Sequence, residues 1–215
     1  MARIVFDLDG TLVDSAPDLQ GIANALLERE GRAAVTLAET RGFVGAGVPA
    51  FVARMRAARD LPEAAQDRLV AAFLDRYDGA VHLTRPYPGV VAALDALAAK
   101  GHALGICTNK PLAACRALLA HLGLAGRFAA VLGGDSLPTR KPDPAPLHAT
   151  FAGLGGEGPR VFVGDSEVDA ETGDRAGVPV LLFAGGYRHT ALADLPHAAA
   201  FEDWADLPDL LPAHA

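Results

Sequence analysis

Short apolar runs rich in β-branched residues, separated by stretches of helical spacing, constrain this chain more than any other feature. The runs are Arg3–Phe6, Ala103–Cys107, Ala129–Leu132, Val161–Val163 and Val178–Phe183. Between two of them, Leu112, Cys115, Leu118, Leu119 and Leu122 share one helical face, and Gly123 stands where a C-terminal cap belongs. Strands that alternate with helices predict an α/β fold, a parallel sheet covered on both faces. Ligands of such sheets bind beyond the carboxyl ends of the strands, so the chemistry is sought just after each run.

The rhythm breaks once. Nearly a hundred residues separate Phe6 from Ala103, and most of them read as helix. Ser15-Ala16-Pro17-Asp18 has the pattern of a capping box. It opens a helix with Leu19, Ile22, Ala23, Leu26 and Leu27 on one face. Val48, Phe51, Val52 and Met55 form a second stripe, and Leu69, Val70, Phe73, Leu74 and Tyr77 a third. The expected organisation is a core of residues 1–14 and 83–215, with residues 15–82 inserted as a small helical bundle. Arg85-Pro86-Tyr87-Pro88-Gly89 reads as the return linker.

Composition narrows the function. With 215 residues the chain is long enough for a buried core, and its net charge of −7 without any Lys/Arg run argues against nucleic-acid binding. No stretch approaches the roughly eighteen uninterrupted apolar residues of a membrane span. Met1-Ala2-Arg3 leads at once into an apolar run ending in acids, which is not the layout of a signal peptide. Cys107 and Cys115 form neither a disulfide framework nor a metal-ligand pattern. A soluble, cytoplasmic protein is expected. Of its 19 basic residues only Lys100, Lys110 and Lys141 are lysines, so each lysine invites a chemical explanation.

The strand ends carry the candidates. The first run ends in Asp7-Leu8-Asp9-Gly10-Thr11, where Gly10 allows a sharp turn that re-aims the second acid. Two carboxylates about 4 Å apart repel by roughly 4 kcal/mol at an effective dielectric near 20, a penalty that a cation removes or that one acid avoids by staying protonated. A solvated turn is the competing reading. The second run ends in Thr108-Asn109, ahead of a helix, which makes either an anion site or a plain N-cap. Prolines stiffen Arg140-Lys141-Pro142-Asp143-Pro144 and fix where Lys141 points, unless it is a surface residue of a turn. Gly164-Asp165-Ser166-Glu167-Val168-Asp169 offers Asp165 as an oxygen ligand for a hard cation, whereas Asp169 also completes a capping box with Ser166. Acid pair, hydroxyl, ammonium and acid on one sheet edge make a phosphate-processing site with a bound cation.

These motifs resemble those of haloacid-dehalogenase-superfamily phosphatases, and of the phosphoglycolate phosphatases in particular. The matching segments are FDLDGTLVDSAPDL (6–19), VGAGVP (44–49), YPGV (87–90), CTNK (107–110), GGDSLPTRKPDPAPL (133–147) and VGDSEVDAETGDRAG (163–177), in the family's order. The resemblance implies a Rossmann-like core with a mobile helical cap, hinged near Asp14-Ser15 and Pro86-Tyr87. It implies that Asp7 is the nucleophile, forming an aspartyl-phosphate, and that Asp9 protonates the leaving alcohol and then activates water. Thr108, Asn109 and Lys141 would hold the phosphoryl oxygens. Mg2+ would bind the carboxylates of Asp7 and Asp165 and the backbone carbonyl of Asp9, with Asp169 behind them. The loop of Gly45 and Gly47 would face the leaving group. The implied partner is a small phosphorylated metabolite, most of all 2-phosphoglycolate, with pyrophosphate, nucleotides and sugar phosphates as rivals and a phosphomutase as the alternative. A monomer or a homodimer suits these expectations.

Neighbouring families fit less well. Asp9 is absent from dehalogenases acting on carbon–halogen bonds. Phosphonoacetaldehyde hydrolases need a cap lysine, and no Lys precedes Lys100. Leu19 stands where β-phosphoglucomutases carry a His. The seven histidines have no ligand spacing and read as surface or packing residues. Cys107 and Cys115 read as small core residues, Trp204 as packing for a terminal helix, and Tyr187-Arg188-His189 receives no chemical role.

Overall fold

A computed structural model describes residues 1–212; His214, read above as a surface or packing residue, lies outside them. In chain order the main elements are β1 (Arg3–Phe6), β2 (Val13–Asp14), α1 (Ala16–Arg29), α2 (Leu37–Phe43), α3 (Val48–Ala57), α4 (Gln66–Tyr77) and β3 (Arg85–Pro86). There follow α5 (Val90–Ala99), β4 (Ala103–Cys107), α6 (Leu112–His121), β5 (Ala130–Leu132), α7 (Ala145–Leu154), β6 (Arg160–Gly164), α8 (Glu167–Ala176), β7 (Val180–Phe183) and β8 (Ala199–Phe201).

Six strands form one parallel sheet in the order β5-β4-β1-β6-β7-β8. Arg3 of β1 pairs with Ala103 on one side and Arg160 on the other, so β1 lies where the strand order reverses. That reversal opens a crevice at the carboxyl ends of β4, β1 and β6. This is an α/β, Rossmann-like fold.

Alternation along each strand sorts its side chains between two cores. Ile4 and Phe6 of β1, with Leu104, Ile106, Val161 and Val163, pack on α5 and α6 and on the fully buried Trp204. Val5 faces the other way, with Cys107, Phe162 and Leu182, against Leu147 and Phe151 of α7 and Ala170 of α8. Trp204 lies in a 3-10 turn, Trp204–Asp209, within edge or tilted ring contact of Phe6, Phe183 and Phe201. Gly123 follows α6 at φ +67°, where the amides of Gly123 and Leu124 bond back to the last helical turn.

Helices α1 to α4 share a third core. Leu19, Ile22, Ala23, Leu26 and Leu27 meet Val48, Phe51, Val52 and Met55 and the α4 residues Leu69, Phe73 and Tyr77, and Ala114 of α6 joins them. Leu74 departs from its expected stripe and is 42% exposed, because Leu69, Phe73 and Tyr77 already fill the facing groove. No helix among the described residues is long and apolar enough to cross a membrane.

Three local expectations are corrected. Ser15 is the N-cap of α1 by position, but its hydroxyl makes no capping bond and is buried without a hydrogen-bond partner among the described residues. The Tyr187 hydroxyl takes that place, accepting from the amides of Ser15 (2.9 Å) and Ala16 (3.1 Å). Asp18 does not turn back to complete a capping box. It accepts from the amides of Leu83 (3.0 Å) and Thr84 (2.7 Å) and from the Thr84 hydroxyl (2.6 Å), three donors that outbid one cap. Arg85 and Pro86 are not a plain linker, since they pair antiparallel with Asp14 and Val13 in a small ribbon.

Candidate active site

The chain turns sharply after β1. Gly10 has φ +89°, and a Cβ there would stand 2.6 Å from Asp165 Oδ2, so the turn admits only glycine. The turn separates the two acids of Asp7-Leu8-Asp9. Asp7 faces β6 and its following loop, where its carboxylate lies with those of Asp165 and Asp169, one oxygen of each within 4.8 Å of the others. Asp9 points towards the loop after β4, with Lys110 Nζ 3.3 Å from its Oδ1 and 3.5 Å from its Oδ2.

Lys141 arrives from the loop after β5. Its ammonium donates to Asp169 Oδ1 at 2.6 Å and lies 3.0 Å from Asp7 Oδ1 as an ion pair outside hydrogen-bonding geometry. Asp7 Oδ1 therefore accepts no hydrogen bond from the described residues, and the ion pair is its one close polar contact among them. The other Asp169 oxygen accepts from the Ser166 hydroxyl (2.7 Å) and the amides of Ser166 (3.1 Å) and Asp165 (3.2 Å). Asp169 thus caps α8, as one of its two readings expects, and braces Lys141 at once. Asp165 accepts from the Thr11 hydroxyl at 2.6 Å and the Tyr187 amide at 2.7 Å.

Thr108 follows β4 directly and is buried. It does not cap α6, whose N-cap is Pro111 and whose Leu112 amide is held by Asp135. The side-chain amide of Asn109 donates to two backbone oxygens, Gly45 and Lys141, both at 2.9 Å, and so ties the loop before α3 to the lysine. Asp7, Asp9, Thr108, Asn109, Gly45 and Gly47 line one cleft. Every residue singled out from the sequence thus lies at this sheet edge or on the loop above it.

Electrostatics mark the cleft as built for a cation. Four buried carboxylates, Asp7, Asp9, Asp165 and Asp169, face two buried ammoniums, Lys110 and Lys141. With all four ionised, two negative charges are left over. Burial pushes the Asp7 carboxyl up to about 6, with Lys141 opposing and Asp169 and Asp9 adding to the rise. Asp165 is raised well above the usual carboxylate range by burial first, then by Asp169 and Asp7. A divalent cation beside Asp7 and Asp165 cancels the surplus charge, so the donor set fits magnesium, a hard ion that prefers carboxylate and carbonyl oxygen. Asp169 has both oxygens engaged, which suits a supporting place. The thiol of Cys107 is pushed up to about 11 by burial, as befits a core residue.

Sequence reasoning passed over three residues of this site. Lys110 stands in CTNK with no motif role of its own, and only the scarcity of lysines points to it. Thr11 holds Asp165 across 154 positions of sequence. Tyr187, besides its amide bond to Asp165, donates its hydroxyl to Asp14 Oδ1 at 2.6 Å, so one residue joins the acidic cluster to the start of α1.

A fold of this topology with acids, a threonine and a lysine at consecutive strand ends belongs to a known class. A model of the haloacid dehalogenase-like hydrolases matches residues 4–183, and the chain belongs to that family. It is 50% identical over 214 residues to a phosphoglycolate phosphatase of Cereibacter sphaeroides (strain ATCC 17029 / ATH 2.4.9), covering 98% of each chain. A phosphoglycolate phosphatase of Rhodobacter capsulatus is 42% identical over 211 residues, covering 97% of this chain and 95% of the other. Among solved structures, a predicted phosphoglycolate phosphatase from Haemophilus somnus 129pt superposes with a TM-score of 0.88 at 32% identity, covering 97% and 96% of the two chains.

Proposed function

We propose that this chain is a magnesium-dependent phosphomonoester hydrolase that works through an aspartyl-phosphate, with 2-phosphoglycolate as its substrate. The observation that carries the reading is Asp7, a buried carboxylate at the end of the central strand, paired with the Lys141 ammonium at 3.0 Å and beside a second acid on the same cleft. The names of the relatives support the substrate.

Asp7 attacks phosphorus; the new bond joins its carboxylate oxygen to phosphorus as the bond to the ester oxygen breaks. Asp9, aimed into the cleft by the Gly10 turn, gives its proton to the departing glycolate oxygen. It then takes a proton from water as that water attacks phosphorus and frees Asp7 and phosphate. Lys141 and Thr108 hold the phosphoryl oxygens, and Asp169 keeps the Lys141 ammonium in place. Asp7, Asp165 and the backbone carbonyl of Asp9 would hold magnesium, which supplies positive charge against the phosphoryl oxygens. Residues 15–82 act as a cap that excludes water, hinged where the β2–β3 ribbon meets α1.

Phosphate release from a panel of 2-phosphoglycolate, nucleotides, pyrophosphate and sugar phosphates, with and without magnesium, tests this reading. Magnesium-dependent release led by 2-phosphoglycolate is expected. Release led by another ester overturns the substrate, and no release from any member overturns the hydrolase.

A further inference from the structure

The mechanism above employs Lys141 and leaves Lys110 idle, although Lys110 is one of three lysines in a chain that otherwise uses arginine. Its side chain is 2% exposed. Its ammonium lies 4.1 Å from the ring centroid of Tyr77 on α4, and among the described residues it is the only cation lining the cleft. Much of the remaining lining is apolar, with Leu19, Val48, Phe51 and Phe73 among it. The pairing with Asp9, at 3.3 and 3.5 Å, is looser than the roughly 2.8 Å of a charge-assisted bond, so a closer anion can be accommodated.

We propose that Lys110 is the subsite for a carboxylate on the leaving group and selects phosphorylated small acids over neutral phosphate esters. The inference rests on the function proposed above and assigns the group that reads the substrate. If Asp9 delivers the proton, its carboxylate stands at the ester oxygen. One methylene separates that oxygen from the carboxylate of 2-phosphoglycolate. A cation that recognises the carboxylate must therefore lie within a few ångströms of Asp9, and Lys110 does. Apolar walls make the match more selective, because a buried carboxylate without a cation is strongly disfavoured and a paired one is held in a low dielectric. An ammonium that served only to pack α4 would not need to line the cleft beside the acid.

The test compares 2-phosphoglycolate with ethyl phosphate, which shares the alkyl ester and lacks the carboxylate, in the magnesium-loaded wild type, Lys110→Met and Lys110→Arg. The readout is the ratio of the two kcat/KM values, in which any common loss from a disturbed Asp9 cancels. Lys110→Met is expected to lower the wild-type ratio by about a hundredfold, and Lys110→Arg to keep part of it. An unchanged ratio in Lys110→Met, even with both rates reduced, overturns the subsite and leaves the hydrolase standing. Equal use of both esters by the wild type overturns the subsite and the 2-phosphoglycolate reading together. Should the variants not fold, 15N-lysine spectra of the wild type decide, since three Nζ signals suffice. Glycolate is expected to shift the Lys110 signal while ethanol does not, and a signal indifferent to glycolate overturns the proposal.

Discussion

In the proposed mechanism Asp7 serves chemistry at the expense of the fold. Burial holds its carboxyl up at about 6, above the ordinary value of 3.8, even with Lys141 beside it. A carboxyl whose folded pKa lies above its unfolded one weakens the folded state at every pH above about 6, and the penalty fades as pH falls towards 4. Two pKa units correspond to at most about 3 kcal/mol. In magnesium-free buffer at pH 8, Asp7→Asn is therefore expected to melt several degrees above the wild type, with the advantage gone near pH 4. A variant that melts lower at pH 8 would mean that the Lys141 pairing outweighs the burial. Lys141 itself keeps its charge: burial draws its pKa down, but Asp169 and Asp7 more than offset it, and the value ends above that of a free lysine.

The start of α1 carries the lesson at the scale of elements. Its sequence spells a capping box, yet the groups that hold it come from Tyr187 and from the chain leaving the helical insert. Ser15→Ala should change stability by no more than about 0.5 kcal/mol, since its buried hydroxyl has no partner to lose. Asp18→Ala should cost about 2–4 kcal/mol, since it strands the amides of Leu83 and Thr84 and the Thr84 hydroxyl. Urea unfolding of both variants checks the pair, and a larger loss for Ser15→Ala would restore the local cap. Strands β1 and β4 were legible to the residue because their apolar runs are continuous and β-branched or flanked by such residues. The β8 segment Ala199-Ala200-Phe201 was not: two alanines have no strand preference, and only pairing with β7 selects it. The β2–β3 ribbon, two residues a side, is likewise too short for any periodic pattern.

For the whole molecule, the decisive fact is that β1 lies between β4 and β6, which brings Asp7, Thr108 and Asp165 to one crevice from segments far apart in sequence. The acids, the threonine and Lys141 were legible because each stands directly after an apolar run or between stiffening prolines. Lys110 and Tyr187 were not, because their meaning lies in partners 101 and 173 positions away, on Asp9 and Asp14. Through Tyr77 on α4 and through the bond from Asn109 to Gly45, the strand ends also touch the helical insert, so the site is closed from above by residues outside the sheet. In the proposed mechanism the phosphoryl group passes through Asp7. The most direct measurement is acid quenching of the wild type during turnover of 2-phosphoglycolate with magnesium, followed by peptide mass spectrometry, with Asp7→Asn as the control. One phosphoryl group on Asp7 and no phosphate release by the variant are expected. A phosphoryl group on another residue, or wild-type release by Asp7→Asn, would contradict the mechanism.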